Sequence, residues 1–169
     1  GTITGTGGSF DVAIRGEGFF RLGTPEGERL TRAGNFIPNA QGDLVTSDGH
    51  LLLGAGGAPV FVPPDARSIA IATDGTVSAD GEPVAQIGLV MPEDPATLRH
   101  QPGQLFSFEG FTQPAQGATL LQGMLENSNV NPILEISRMI EVQRAYELGQ
   151  SFLDRESDRR SKLIDTLTR

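Results

Sequence analysis

The chain has 169 residues, of which 37% are hydrophobic and only 6% aromatic; a chain near this length can hide about two-thirds of its unfolded surface in a real core. A formal net charge of −8 leaves no basic footprint for nucleic acid and disfavours anionic membranes, and the absence of cysteine excludes a disulfide framework, a thiolate zinc site and a cysteine nucleophile. No apolar run approaches the ~20 residues that span a bilayer, no signal peptide is visible, and the 22 glycines follow no G-X-Y period, which leaves a turn-rich β domain as their natural setting.

Residues 1–9 (GTITGTGGS) read as a flexible or partner-bound arm. The chain opens at Gly1 without a Met, inside a Gly/Thr-rich stretch, and is expected to be a piece of a longer protein whose N-terminal segment lies outside it. Residues 10–126 are expected to form a β-rich middle domain. Phe10 to Ile14 and Gly18 to Leu22 read as half-buried strands about a Gly16-Glu17-Gly18 turn. Pro25-Glu26-Gly27 marks another turn before Arg29-Leu30-Thr31.

Val45 to Gly49 and Val77 to Gly81 each lead a short strand into Asp-Gly, which predicts two hairpins with type I′ turns. Pro59 to Pro64 and Ser68 to Ile71 read as short strands between them. Val84 to Met91 is the longest strand candidate, with Ile87 and Leu89 on one face. Pro92 to Gly103 reads as a polar loop. Leu105 to Phe108 and Ala118 to Leu125 are the last strands.

The period then switches. After Pro132 there is no further proline and a single glycine, Gly149. Asn131 suits a helix cap and Pro132 the first helical position. Met139, Val142, Tyr146, Leu153, Leu163 and Leu167 fall on a seam of alternating three- and four-residue steps, widened by Ala145, Leu148 and Phe152 and interrupted by Gly149, Glu156 and Arg160. Residues 127–169 therefore read as a junction and a long amphipathic helix of about 36 residues, about 54 Å in length. The fold class is mainly β: a Gly-rich strand and hairpin domain followed by a long C-terminal helix. Such a stripe needs a partner, either a helix outside this chain or one on a neighbouring subunit. Folding back onto the β domain as an ordinary core helix is the plainer alternative.

No catalytic, cofactor or metal set emerges. His50 and His100 are the only histidines and lie in different segments, so both are expected to be ordinary polar residues facing solvent. Gly16-Glu17-Gly18 and the Gly5 to Gly8 stretch lack phosphate-loop spacing. Asp43, Asp48, Asp74 and Asp80 have no calcium-loop register, and turns explain them. The charge run from Asp154 to Arg160 reads as a solvated helical face, with a polar contact to a neighbour as the sharper alternative.

Leu125 to Asn131 followed by Met139 to Glu147 (MIEVQRAYE) resembles the C-terminal signature of flagellar rod and hook proteins. Phe10 to Phe20 (FDVAIRGEGFF), Thr31 to Phe36 (TRAGNF), Asp43 to Thr46 and Asp48-Gly49 resemble the same family in the same order. The resemblance spans nearly the whole chain. It implies a non-enzymatic axial protein, exported by the flagellar type III apparatus, that assembles with proximal and distal rod subunits in the periplasm-spanning rod and transmits torque. It also implies that terminal helices pair as a coiled coil. The short β region and Leu89 to Pro92 look closer to the proximal rod than to the distal rod or hook.

The assembly residues so implied are Asn127, Ser128, Asn129 and Val130 at the junction, and Met139, Val142, Gln143, Arg144, Tyr146 and Leu153 on the helix. No nucleic acid, membrane insertion, small-molecule substrate or cofactor is expected. Rival readings are a secreted domain that binds or cleaves cell-wall glycan, and a monomeric adhesin or regulatory module. The first lacks an acid/base or metal set and has one Tyr and no Trp to stack sugars.

Overall fold

In the computed structural model, residues 1–127 and 136–150 are described. The chain divides into two compact units, Gly1–Asn127 and Ser128–Arg169. The first contains β1 (Ile3–Gly5), β2 (Val12–Arg15), β3 (Phe19–Thr24), β4 (Gly27–Thr31), β5 (Ile37–Pro38), β6 (Leu44–Val45), β7 (Leu51–Leu53) and β8 (Ile69–Ile71). It continues with β9 (Thr76–Ala79), β10 (Glu82–Gln86), β11 (Leu89–Pro92), a 3-10 turn at Pro95–Thr97, β12 (Arg99–Gln101), β13 (Leu105–Ser107), β14 (Thr112–Pro114), β15 (Thr119–Gln122) and β16 (Met124–Glu126). In the second unit, residues 136–150 form a helix, α1. The fold is mainly β with a C-terminal helix, as the sequence predicts.

The largest sheet has the order β12-β13-β4-β3-β7-β6-β5, with β11 also paired to β3 and β14 to β11. Three smaller sheets, β10-β9-β8, β15-β2 and β1-β16, complete the unit. The β3–β4 hairpin turns through Pro25-Glu26, with Thr24 opposite Gly27.

One turn geometry occurs in each of the segments Asn39–Asp43, Thr46–His50, Gly54–Ala58 and Ala72–Thr76. In each, the first amide donates to the last carbonyl and the fourth residue donates back to the first carbonyl, over 2.8–3.1 Å. The fourth residue is always glycine, with φ between 81° and 94° (Gly42, Gly49, Gly57 and Gly75). This is the three-residue hairpin loop that closes on a left-handed residue. It corrects the type I′ expectation at Asp48-Gly49, because only Gly49 has a positive φ there. The type I′ expectation holds at Asp80-Gly81, where both residues have positive φ (51° and 89°) and Ala79 faces Glu82.

The core gathers Val12, Ile14, Phe20, Leu22, Phe36, Leu44, Leu52, Val60, Val62, Ile71, Val77, Ile87 and Leu120. Phe20 and Phe36 meet edge to face at 5.1 Å, a geometry that adds to their burial. Val12, Ala13 and Ile14 are all buried, so β2 is covered on both faces rather than alternating.

Three strand expectations change. Val84 to Met91 is broken, because a Cβ at Gly88 would lie 2.6 Å from Ala55 Cα; the two backbones touch there and the strand cannot run through. Ala118 to Leu125 is split at Gly123, whose φ is 70°. Pro59 to Pro64 makes only isolated bridges, Leu53 with Pro59 and Asp43 with Phe61, since its prolines cannot donate to a ladder. The polar loop at 92–103 also holds the 3-10 turn and β12. Finally, the arm expected at 1–9 contains β1, which is held by main-chain pairing that composition alone does not reveal.

Candidate functional site

The two ends of the β unit meet in a ribbon. Ile3 faces Glu126, Thr4 faces Leu125 and Gly5 faces Met124. The Asn127 amide donates to the Thr2 carbonyl at 2.9 Å. At the start of β16, the Gly123 carbonyl accepts from the amides of Thr6 and Gly7 (2.8 and 3.1 Å), and the Gly123 amide donates to the Asp11 carbonyl at 2.7 Å. At the other end stands Glu126.

Arg32, in the loop after β4, reaches that carboxylate. Its Nε donates to Glu126 Oε2 at 2.8 Å, and its Nη2 lies 2.8 Å from the same oxygen. Nη1 donates to the carbonyls of Gly16 and Gly18 (3.1 and 2.9 Å), and Nη2 donates to that of Ile14 at 3.2 Å. Each of the three guanidinium nitrogens thus has a hydrogen-bond partner, four bonds in all. Partial burial raises the Glu126 pKa. Hydrogen bonding to Arg32 and its positive charge act against this and hold the carboxyl below the ordinary carboxylate value.

Three stretches far apart in sequence therefore meet at one ion pair: the Gly16-Glu17-Gly18 turn, the loop carrying Arg32 and the strand ending in Glu126. Neither Arg32 nor Glu126 is among the assembly residues expected from the sequence. They are 94 positions apart, and no spacing rule relates such residues.

Of the expected assembly residues, Asn127 is exposed at the end of the ribbon. Ser128, Asn129, Val130 and Leu153 lie outside the described residues, as does the charge run from Asp154 to Arg160. Met139, Val142, Gln143, Arg144 and Tyr146 lie on α1, and every residue of α1 is exposed. At about 100° per residue, Ile136, Met139, Ile140, Val142, Gln143 and Tyr146 share one side. Leu148 projects from the opposite side. Gln150 donates to the Tyr146 hydroxyl at 3.0 Å, one turn along the same side.

The bland readings of the other candidates are tied to local geometry. His50 sits at the end of a hairpin loop, its amide donating to Thr46 Oγ1 at 3.2 Å. His100 lies on β12 with its ring against Phe106 at 5.2 Å. Asp74 accepts from the Thr76 amide at 3.0 Å. The Asp80 carboxylate accepts from the amides of Arg67 and Ser68. The Asp74 bond lies within its own turn, and the Asp80 bonds tie the β9–β10 turn to the residues just before β8.

Two family models match the chain: the flagellar hook protein FlgE/F/G D1 domain over residues 13–79 and the flagellar basal body rod FlgEFG protein C-terminal over residues 121–166. Arg32 falls in the first and Glu126 in the second. The chain is 39% identical to the flagellar basal-body rod protein FlgF of Caulobacter vibrioides, over 99% of this chain and 69% of that protein. It is 33% identical to the FlgF of Mesorhizobium japonicum, over 99% of this chain and 70% of that protein. It is 34% identical to the flagellar basal-body rod protein FlgG of Bacillus subtilis, over 95% of this chain and 66% of that protein.

Proposed function

The chain belongs to the flagellar basal-body rod protein family and is a structural subunit of the flagellar rod; on that premise we propose that it joins the proximal part of the rod through α1. The observation that carries this reading is the exposure of α1. Ile136, Met139, Ile140, Val142, Tyr146 and Leu148 are 44–71% exposed, whereas the β unit has a closed core of its own. A run of large exposed apolar side chains marks an interaction surface.

Met139, Val142, Gln143 and Tyr146 form the seam toward a helix of a neighbouring rod subunit or of a segment outside this chain. Leu153 continues the seam, and Arg144 pairs with a carboxylate on a neighbour. Asn127 to Val130 orient the helix. Contacts of one face with a different face build an open helical polymer when the rotation between subunits does not close a ring, which suits a shaft. The β unit supplies lateral contacts, with Phe111 (80% exposed) and Ile37 (55%) as apolar anchors. Proximal rather than distal placement is supported by the short β region and by the Leu89 to Pro92 stretch. Export by the flagellar type III apparatus, a periplasm-spanning position, torque transmission and the absence of catalysis complete the proposal.

Deleting the parent gene, scoring swimming and imaging basal bodies by electron microscopy tests it. Non-motile cells with export rings but no completed rod support the reading. Swimming cells with intact hook-basal bodies overturn it and bring the binding-module reading forward.

A further inference from the structure

We propose that Arg32 is a positioning residue that latches the β1–β16 ribbon to the Gly16-Glu17-Gly18 turn through Glu126, so that the point where the chain leaves the β unit, Asn127, is held in place. A two-stranded ribbon is marginal by itself, and here each strand is only three residues long. None of its residues is fully buried; Thr4, Gly5 and Met124 are exposed. Packing therefore contributes little, and attachments at the ribbon's ends decide whether it holds. One end is fastened by the main-chain bonds around Gly123. The other is fastened by Arg32.

The chemistry of that fastening selects arginine. The guanidinium faces one carboxylate oxygen and three main-chain carbonyls, of Ile14, Gly16 and Gly18. A planar fork carries five donors in fixed directions, whereas an ammonium has three from one point. Lysine can keep the charge but cannot span that set. Exchanging the two charges also fails, since a carboxylate at position 32 has nothing to donate to the three carbonyls. With Arg32 in place, the Glu126 end of the ribbon is tied to the turn that precedes β3, a strand at the centre of the main sheet.

The latch stands on geometry alone. Its use, carrying force between the β unit and the chain beyond Asn127, rests on the rod reading.

The test is hydrogen exchange by mass spectrometry on the purified full-length protein and on Arg32→Met, Arg32→Lys and Glu126→Gln. The ribbon peptides, including the Asn127 amide bonded to Thr2, are expected to exchange about ten- to a hundredfold faster in Arg32→Met and Arg32→Lys, the range for losing hydrogen bonds to a charged group. Peptides holding Leu22 and Leu52 are expected to change less than about threefold. Glu126→Gln, which keeps the shape of the carboxylate, serves where Arg32→Met does not fold and is expected to loosen the ribbon in the same selective way. Unchanged ribbon protection, equal loss across the whole β unit, or full protection in Arg32→Lys would each overturn the proposal. Wild-type swimming by cells whose subunit has a loosened ribbon would overturn only the mechanical use of the latch. The gene deletion separately decides the rod reading.

Discussion

Gln122 Oε1 accepts the amide of Ile71 at 3.0 Å, and so takes the place of a strand that β8 lacks on that side. Its Nε2 donates to the carbonyls of Ile69 and Ser9 at 3.1 and 2.8 Å. The side-chain amide thus presents both a donor and an acceptor to one strand, as a main-chain peptide would, and joins the β8–β9–β10 sheet to β15.

Gln122→Leu leaves a main-chain donor and two acceptors without these partners. It is expected to cost about 1–3 kcal/mol, read as a lower urea midpoint at unchanged m-value. Gln122→Glu keeps the acceptor for Ile71 but sets an acceptor-only carboxylate oxygen against the carbonyls of Ile69 and Ser9, and is expected to cost at least as much as the leucine variant.

Gly49 and Gly75 occupy the same position of the same turn, yet they should respond differently to alanine. A Cβ at Gly49 meets nothing within 4 Å, whereas one at Gly75 would lie 2.3 Å from the Ile87 carbonyl oxygen. Gly49→Ala is expected to cost only the strain of a left-handed non-glycine residue, about 1–2 kcal/mol. Gly75→Ala must also displace main chain next to the core, and a markedly lower melting temperature than that of Gly49→Ala is expected by calorimetry.

Acid should loosen the ribbon through Glu126. Its folded pKa is depressed despite burial, by hydrogen bonding to Arg32 and the positive charge of that group. Folding is therefore favoured by this group above its unfolded pKa of about 4.3. That contribution falls away as pH drops through the lower folded value. Glu126→Gln is expected to flatten the acid limb of the stability–pH curve. The Asp74 carboxyl is lowered as well, chiefly by the Thr76 amide, so Asp74→Asn is expected to act in the same direction. Denaturant titrations from pH 6 down to 2 measure both.

The seam of α1 can be separated from the stability of the β unit. Met139, Val142 and Tyr146 are 66–69% exposed, so serine at all three is expected to shift the unfolding of the β unit by no more than about 0.5 kcal/mol. The same triple variant is expected to fail to complement a deletion strain, with swimming and basal-body images as readouts. Full complementation would argue against the seam as the assembly contact.

Much of this was legible from local chemistry. Asp80-Gly81 reads as a type I′ turn and forms one, because that turn asks only for two adjacent residues that tolerate positive φ. Pro25-Glu26 marks the β3–β4 hairpin for a similarly local reason. The switch from strand-like runs to a 3.6-residue period locates α1. Other features could not be read. Asp48-Gly49 carries the same dipeptide as Asp80-Gly81 but closes a longer loop, since the pairing of Thr46 with His50 sets its length. The strand candidate from Val84 to Met91 contains only residues suited to a strand or a simple bend, and it breaks because Ala55 presses on Gly88 from elsewhere in the chain.

The sequence by itself determined the class of the chain: turns from glycine and aspartate, strands from short apolar runs, a helix from its period, and the family from motifs in order. Those depend on neighbours a few residues apart. Only the tertiary structure decided that residues 1–9 pair with the end of the β unit, that Gln122 completes β8, and that Arg32 grips Glu126 and three carbonyls at once. Each joins residues many positions apart, where the cost of closing the loop is met by the whole fold and no local pattern records which partners will meet.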